Sequence, residues 1–464
     1  MKYKEKSHWL TVTFAAVALS AFAHGANAHW WGPPHESPEV IIEWNQLTQT
    51  SIPLIAPPAA PFAQTRMYAM VHVAMTDAVN AIDRSYDPFH VQAWAPRGAS
   101  AEAAAAQAGH DVLVALIPAA AGTLDAALAA RLDDIPTGPR GLGVQVGKKV
   151  AAAVLDWRAD DGFANANPQP PALPPAPPIF LLSTLPGIWV PTGTGSTAGT
   201  FANLGAVAPF GLITPTQFLP APFPQLETAR YADDFDEVKT EGERPAAFPG
   251  GPFSDNHRIA LTWAGGAGTP HANVTNPFRL WSNIARDVAE EEGFSLTKTA
   301  RLFALLTTSI HDSVQTSHTS KFIYMLWRPE TAIARAGSDN NAATGEQPGW
   351  IPLLVTPPYP SHASNMTCIG AGAARMLRNV FRGEKSFTAT WYESDTVTPP
   401  ATTPPVERSQ LYDTFWDLAL EEGDSRIWGG IHFRFEIDTS LVACSNVADY
   451  LYDNYLLPRA HGHF

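Results

Sequence analysis

Apolar residues recur at helical spacing through most of the chain. Between Thr65 and Asp83 they fall at Met67, Met70, Val71, Ala74, Val79 and Ile82, the pattern of a buried or amphipathic helix. The Ala-rich run Ser100 to Ile117, the segment Thr123 to Leu132 and the segment Leu142 to Arg158 continue it, and no alternating strand pattern interrupts this half. Residues 65–164 therefore read as a first helical bundle. Helices resume near Leu226, Asn256, Phe278 and Ser295, the last passing through Arg301, Leu302, Leu305 and Ile310 towards Lys321, so residues 225–464 read as a second bundle. The expected fold class is all-α.

Two stretches break the pattern. His29 to Gln64 is rich in Pro, Trp and His with little periodicity and reads as an extended arm. From Asn165 to Pro224 the composition turns to Pro, Gly, Thr and apolar residues, too dense in proline for helix or central strand. Phe180, Trp189, Phe201, Phe210 and Phe218 are too many aromatics for a solvated tether, so this segment is expected to be an ordered excursion packed over the helices, with a channel-lining role.

An internal repeat ties the halves together. Arg66-Met-Tyr-Ala-Met-Val and Arg301-Leu-Phe-Ala-Leu-Leu run in register, and Asp77-Ala-Val matches Asp312-Ser-Val at the same offset of 235. Both aspartates sit inside helices, where a buried charge needs a partner, and Asp312 is expected to pair with an arginine.

Composition changes the picture at the N-terminus. Lys2, Lys4 and Lys6 precede an uncharged apolar run from Trp9 to Ala23 and a small-residue site, Ala26-Asn27-Ala28, the build of a secretory signal peptide cleaved after Ala28. Cleavage of residues 1–28 would move the net charge from −14 to −16 by removing three lysines and one glutamate. The exported chain is then periplasmic or secreted, and its charge disfavours nucleic acid and anionic membrane surfaces as partners. No later stretch is long and apolar enough to span a bilayer, so no membrane span is expected in the mature chain. Two cysteines, Cys368 and Cys444, exclude a disulfide framework; in an exported protein they either form one bridge or remain two buried thiols.

The candidate chemistry lies in three segments of the last third. KFIYMLWRP carries Lys321 and Arg328, and because the residue before a proline avoids helical dihedrals, Arg328 is expected to leave the preceding helix. YPSHASNMT, from Tyr359, begins an Ala-rich helix with Ser364 as N-cap and the amide of Asn365 in its first turn, where the helix dipole favours an anion. SRIWGGIH carries Arg426 and His432 with Gly429-Gly430 between them. A compact ammonium, two guanidinium forks and a helix start together suit a tetrahedral oxyanion. No HExxH, CxxC or EF-hand loop is present.

This set resembles the vanadium-dependent haloperoxidase and type 2 phosphatidic-acid-phosphatase superfamily, whose motifs are Lys-x6-Arg-Pro, Pro-Ser-Gly-His and Ser-Arg-x5-His. Lys321 to Pro329 matches the first and Ser425 to His432 the third, while YAMVHVAMTDAVNAIDR, LWRPETAIARAG and GGIHFRF resemble the bacterial haloperoxidase-like branch. The resemblance implies two four-helix-bundle-like halves and vanadate, for which phosphate competes, held by Lys321, Arg328, Ser364, Asn365, Arg426 and His432. His432 would be the axial ligand to the metal, with hydrogen peroxide, a halide and a small organic acceptor as partners; association into oligomers stays open. Acid phosphatase chemistry through a phosphohistidine at His432 is the alternative, and a non-catalytic member that binds an oxyanion or a partner is the second. The middle motif departs from the family. Ungapped alignment places Ala363-Ser364-Asn365-Met366 against it, so that Met366 replaces the acid/base histidine; a gapped alignment reads Pro360-Ser361-His362 instead. His362 is the candidate replacement acid/base, and His318 a second inward candidate.

Overall fold

Helices begin where the chain supplies an acceptor for the first free amides. In the computed structural model of the protein, which describes residues 36–56, 59–167, 185–192, 199–246, 253–264, 276–393 and 406–459, Ser100 caps α3 (Ala101–Leu116) by accepting from the Ala103 amide. Ser295 caps α9 (Leu296–Tyr324) in the same way. Asn276 caps α8 (Pro277–Glu291), and Thr414 with Asp417 forms a capping box at α12 (Phe415–Trp428). Between these lie α1 (Glu39–Ser51), α2 (Pro61–Asp83), α4 (Ala121–Asp133), α5 (Thr137–Ala159), α6 (Ala229–Glu241) and α7 (Asp255–Ala264), followed later by α10 (Pro329–Ala334), α11 (Asn365–Val380) and α13 (Arg434–Asn454).

The region expected to be an extended arm, 29–64, is helical over α1, where Val40, Ile41 and Trp44 are fully buried on one face. The Pro, Trp and His around it masked a short apolar stripe. A two-stranded antiparallel hairpin, β1 (Phe387–Glu393) and β2 (Val406–Tyr412), adds the sheet that helical periodicity does not announce. Phe387 and Ala389 point inward and Thr388 and Thr390 outward, the strand alternation.

The long helices α2 and α9 pack against each other at the centre. Thr65 Oγ1 meets His311 Nδ1 at 2.9 Å, and Thr76 Oγ1 donates to the Ala300 carbonyl at 2.7 Å, which makes the pair antiparallel. Shifting by the repeat offset turns Thr65 into Ala300 and Thr76 into His311, so these two contacts exchange places under a local twofold relation. The repeated aspartates obey it too. Asp77 accepts the amides of Phe89, His90 and Val91, and Asp312 accepts those of Phe210, Gly211 and Leu212. Backbone amides therefore satisfy Asp312 in place of the expected arginine pair, and Arg158 is ion-paired with Asp161 at 2.7 Å.

One hydrophobic core runs from Val40 to Leu456 through both halves. α3 and α5 approach closely because Gly143 and Gly147 leave no room for a Cβ, which would lie 2.3 Å from the Ser100 carbonyl and 2.5 Å from that of Ala104. A second apolar cluster joins α6, α10, α11 and α13 beside the three motif segments. There Cys368 of α11 and Cys444 of α13 form a disulfide. Of the proline-rich excursion, Trp189, Phe201, Leu204, Phe210 and Leu212 are buried; Phe180 and the leader-like residues 1–28 lie outside the described residues. Among the described residues no helix is long and apolar enough to cross a membrane.

Candidate active site

Lys321 occupies the last turn of α9, fully buried. Its Nζ donates to the Ser361 carbonyl at 2.7 Å and to the Ala363 carbonyl, which fixes the ammonium under the loop leading into α11. α9 then stops at Met325, a left-handed residue (φ 53°), and Arg328 is extended (φ −85°, ψ 156°) as the N-cap ahead of Pro329. The proline thus sets Arg328 free of both helices. Its Nε donates to the Tyr359 carbonyl at 3.0 Å and its Nη1 to the Ile431 carbonyl at 2.8 Å, while Nη2, also buried, has no acceptor. The ring of Tyr359 carries both cations, with Lys321 Nζ 5.3 Å and Arg328 Cζ 5.1 Å from its centroid.

His432 follows Gly430, whose φ of 75° turns the chain after α12. Its Nδ1 lies 2.9 Å from Glu436 Oε2 and its Nε2 lies 3.1 Å from Arg328 Nη1. The carboxylate accepts a hydrogen bond from the Nδ1–H, so the Nε2 lone pair faces the guanidinium. Burial, then Arg328, Lys321 and Arg426, hold His432 well below the ordinary imidazole range, so the ring is neutral. Glu436 stands at the third position of α13 and also accepts the Phe433 amide at 2.8 Å and the Ser361 hydroxyl at 2.9 Å. Burial raises its carboxyl to about 7 against the opposing pull of Lys321 and Arg328.

Arg426, nearly fully buried in the last turn of α12, donates from Nε to Ser425 Oγ at 3.0 Å. Burial lowers it to about 10, with Glu422, one turn earlier, as the first opposing charge. Glu422 itself accepts the Trp281 indole at 2.9 Å, and burial pushes it up to about 8.

The middle segment divides. Ser361 and His362 turn into the site, and His362 is fully buried, its Nε2 2.8 Å from the Ala221 carbonyl. Its Nδ1, which has no hydrogen-bond partner, lies 4.0 Å from the equally unpartnered Glu436 Oε1. Burial lowers His362 to about 4. Ser364 spends its oxygen on the Thr367 amide and hydroxyl as the α11 cap, and its own amide donates to Ser440 at 3.0 Å. Asn365 accepts the Ser317 hydroxyl at 2.7 Å and holds His318 Nδ1 at 3.2 Å. Neither shares a hydrogen bond with Lys321, Arg328, Arg426 or His432. Met366, in the first turn of α11 directly after Ser364 and Asn365, packs into the main hydrophobic core. His318 is buried and fastened at Nε2 to the Thr200 carbonyl at 3.0 Å. With His362 it ties two carbonyls of the proline-rich excursion to the rim of the site.

The structure thus brings Lys321, Arg328, His432 and His362 around one carboxylate, with Arg426 beside them. Glu436 and Tyr359 were missed as site residues, and Ser361 entered only through the gapped alignment. For Glu436 the signal was available, since a glutamate four residues after His432 and at the third position of the next helix faces back along the chain. Lys321, Arg328 and Arg426 lie buried beside the buried carboxyls of Glu436 and Glu422, and burial lowers all three basic groups from their ordinary ranges, Lys321 the furthest. Among the described residues no cluster of three or more His, Cys, Asp or Glu is arranged to hold a free metal cation.

Residues 301–457 match the family model described as the VCPO second helical-bundle domain. Over 211 residues the chain is 23% identical to vanadium chloroperoxidase of Curvularia inaequalis, a match covering 35% of this chain and 34% of that protein. The matched region thus spans about a third of the curated relative's length. A bacterial vanadium-dependent iodoperoxidase structure superposes with a TM-score of 0.72 at 22% identity, covering 92% of this chain and all of that one. The holo form of a bacterial vanadium-dependent chloroperoxidase superposes with a TM-score of 0.67 at 18% identity, covering 89% of this chain and 96% of the other. The chain therefore has the helical fold of the vanadium haloperoxidases, and the segment that carries every residue of the cage, 301–457, matches the second helical bundle of that family.

Proposed function

We propose that the protein is an exported, vanadate-dependent haloperoxidase-like enzyme that uses hydrogen peroxide to oxidise halide for transfer to a small organic acceptor. The observation that carries this reading is the Nε2 lone pair of His432, set by Glu436 and turned to the Arg328 guanidinium within a buried cage of basic groups. The donor set fits an oxyanion. Arg328 Nη2 is buried without an acceptor, and Lys321 retains a third N–H beyond its two carbonyl bonds.

Lys321, Arg328 and Arg426 would hold vanadate by charge, the start of α11 at Ser364 and the Asn365 amide would close the cage, and His432 Nε2 would ligate the metal. Vanadate, when bound, supplies the activation of peroxide towards halide. Glu436 keeps the Nδ1 proton on His432 and so keeps Nε2 available. His362 Nδ1 is the group placed to accept or return a proton beside that carboxylate, and Tyr359 with the excursion residues Thr200 and Ala221 limits water at the rim. The buried disulfide supports an oxidising compartment, in keeping with export.

The deciding experiment is bromide oxidation by purified protein with hydrogen peroxide, with and without orthovanadate. Bromination that requires vanadate, is suppressed by phosphate and is lost in His432→Ala supports the proposal. Phosphate monoester hydrolysis without bromination replaces it with a phosphatase acting through His432, and silence in both assays replaces it with an oxyanion-binding protein.

A further inference from the structure

Away from the cage, α1, the first half of α8 and β1 enclose a cleft of about 330 Å³, at the small end of ligand-sized sites (~300–1,000 Å³). Its lining includes Arg279, Arg286, Asn283, Gln46, Leu280 and Trp391, and among the described residues no carboxylate. In a chain with 44 acidic and 30 basic residues, two arginines around a cleft free of acids set it apart from the general surface.

The polar groups are orientated as donors. Gln49 gives its Nε2 to Asn45 Oδ1 at 2.7 Å and to Asn283 Oδ1 at 3.2 Å, and accepts Arg279 Nε at 3.0 Å. That arrangement occupies the acceptor of Asn283 and leaves its Nδ2 protons for the cleft. It also fixes the Arg279 guanidinium by one edge, and its two Nη groups have no acceptor among the described residues. The indole Nε1 of Trp391 is buried, with no hydrogen-bond partner. Arg286 is paired with Asp287 at 2.7 Å and contributes a diffuse charge.

We infer that this cleft binds a small organic carboxylate, its two oxygens on the Nη edge of Arg279 and its carbon skeleton against Leu280 and the Trp391 ring. A guanidinium fork matches a planar carboxylate bidentately, and the remaining space admits a ring the size of benzoate. The site shares no residue with the His432 cage and does not depend on what that cage does.

The test uses the full-length protein labelled with 15N at the tryptophan indoles, in excess inorganic phosphate so that the cage is occupied, titrated with benzoate and with its neutral isostere benzamide. The Trp391 indole resonance, identified by its loss in Trp391→Phe, is expected to shift saturably with benzoate and not with benzamide. Arg279→Gln is expected to weaken benzoate at least about tenfold, and Arg279→Lys to fall in between. Absence of a shift, an equal response to benzamide, or undiminished affinity in Arg279→Gln overturns the inference. If Arg279→Gln fails to fold, undiminished affinity in Arg279→Lys, which keeps the charge and removes the fork, overturns it as well.

Discussion

Glu436 Oε2 accepts three donors at once, the His432 Nδ1–H at 2.9 Å, the Ser361 hydroxyl at 2.9 Å and the Phe433 amide at 2.8 Å. One oxygen thereby joins the loop before α11 to the start of α13 and sets the tautomer of the histidine between them. Glu436→Gln keeps the size and removes the charge that draws the Nδ1 proton. Outer partners of this kind contribute about 10–100-fold to ligand affinity. Vanadate affinity, measured by equilibrium dialysis, is therefore expected to fall by that factor with the helical circular dichroism unchanged. Equal affinity in the variant would show that the Arg328 contact alone orders His432.

His362 and Met366 separate two readings of the middle segment. His362 is buried against Glu436 and Met366 is part of the main core. His362→Gln keeps a side-chain donor for the Ala221 carbonyl and removes the imidazole; turnover is expected to drop about 100-fold, within the usual range for general acid/base groups, with vanadate affinity changed much less. Met366→His places an imidazole in an apolar core and is expected to lower the urea midpoint without raising activity. A gain of activity in Met366→His would favour the ungapped alignment, in which Met366 stands at the acid/base position.

The parts of the site that were legible are those whose chemistry follows from residue type and near neighbours. Arg328 before Pro329 had to leave helical geometry, and Ser100, Ser295 and Ser364 are caps readable from the residues that follow them. The helices α2 and α9 were each visible in apolar spacing and in the repeat, but their packing against each other was not. What stayed hidden depends on the path of the chain in space. Whether Ser361 or Ser364 faces the cage is decided by the loop that Lys321 holds through two carbonyls. Tyr359 becomes a platform for two cations only because both motif segments converge on it. α1 was concealed by the composition around a four-residue apolar stripe, and β1 by the brevity of its alternation.

Glu422 predicts a pH dependence. Burial raises its carboxyl from 4.5 to about 8, so between those values the unfolded chain has released a proton that the folded chain still holds. The unfolded state then binds fewer protons, and stability from this group is present below pH 4.5 and is lost as pH rises towards 8. Glu422→Gln retains an acceptor for the Trp281 indole without an ionisable group. Wild type and variant are expected to have matching urea midpoints at pH 5 and to diverge by pH 8, with the variant more stable by on the order of 2 kcal/mol, short of the full shift because a buried charge relaxes its surroundings. Parallel pH profiles would place the charge elsewhere.

The Cys368–Cys444 bridge spans 76 residues and clamps the first turns of α11 to α13, the helices that begin on either side of the cage. Closing a loop of that length removes denatured-state entropy worth about 4.5 kcal/mol. The double variant Cys368→Ala/Cys444→Ala is expected to lose that much in urea unfolding. Both cysteines are fully buried, so dithiothreitol is expected to reduce the native protein only when denaturant is present. Rapid reduction without denaturant would show that α11 and α13 separate readily.

The twofold relation between α2 and α9 makes a sharper prediction than either helix alone. Asp77 and Asp312 occupy equivalent places and each collects three backbone amides from a passing loop, residues 89–91 in one case and 210–212 in the other. Asparagine offers one acceptor oxygen where the carboxylate offers two, and it turns an NH2 group towards amides that need acceptors. Each substitution, Asp77→Asn or Asp312→Asn, is therefore expected to cost about 2–4 kcal/mol. Because the helices are antiparallel, the two sites lie on the order of 15–20 Å apart along the pair, beyond the range at which substitutions couple, so the double variant is expected to lose the sum within about 0.5 kcal/mol. The two losses should differ in their consequence. Asp312 holds the excursion that also supplies the Thr200 and Ala221 carbonyls to His318 and His362, whereas Asp77 holds a loop remote from the cage. Vanadate affinity is therefore expected to weaken in Asp312→Asn and to stay at the wild-type value in Asp77→Asn; equal weakening in both would mean that the excursion has no special link to the site.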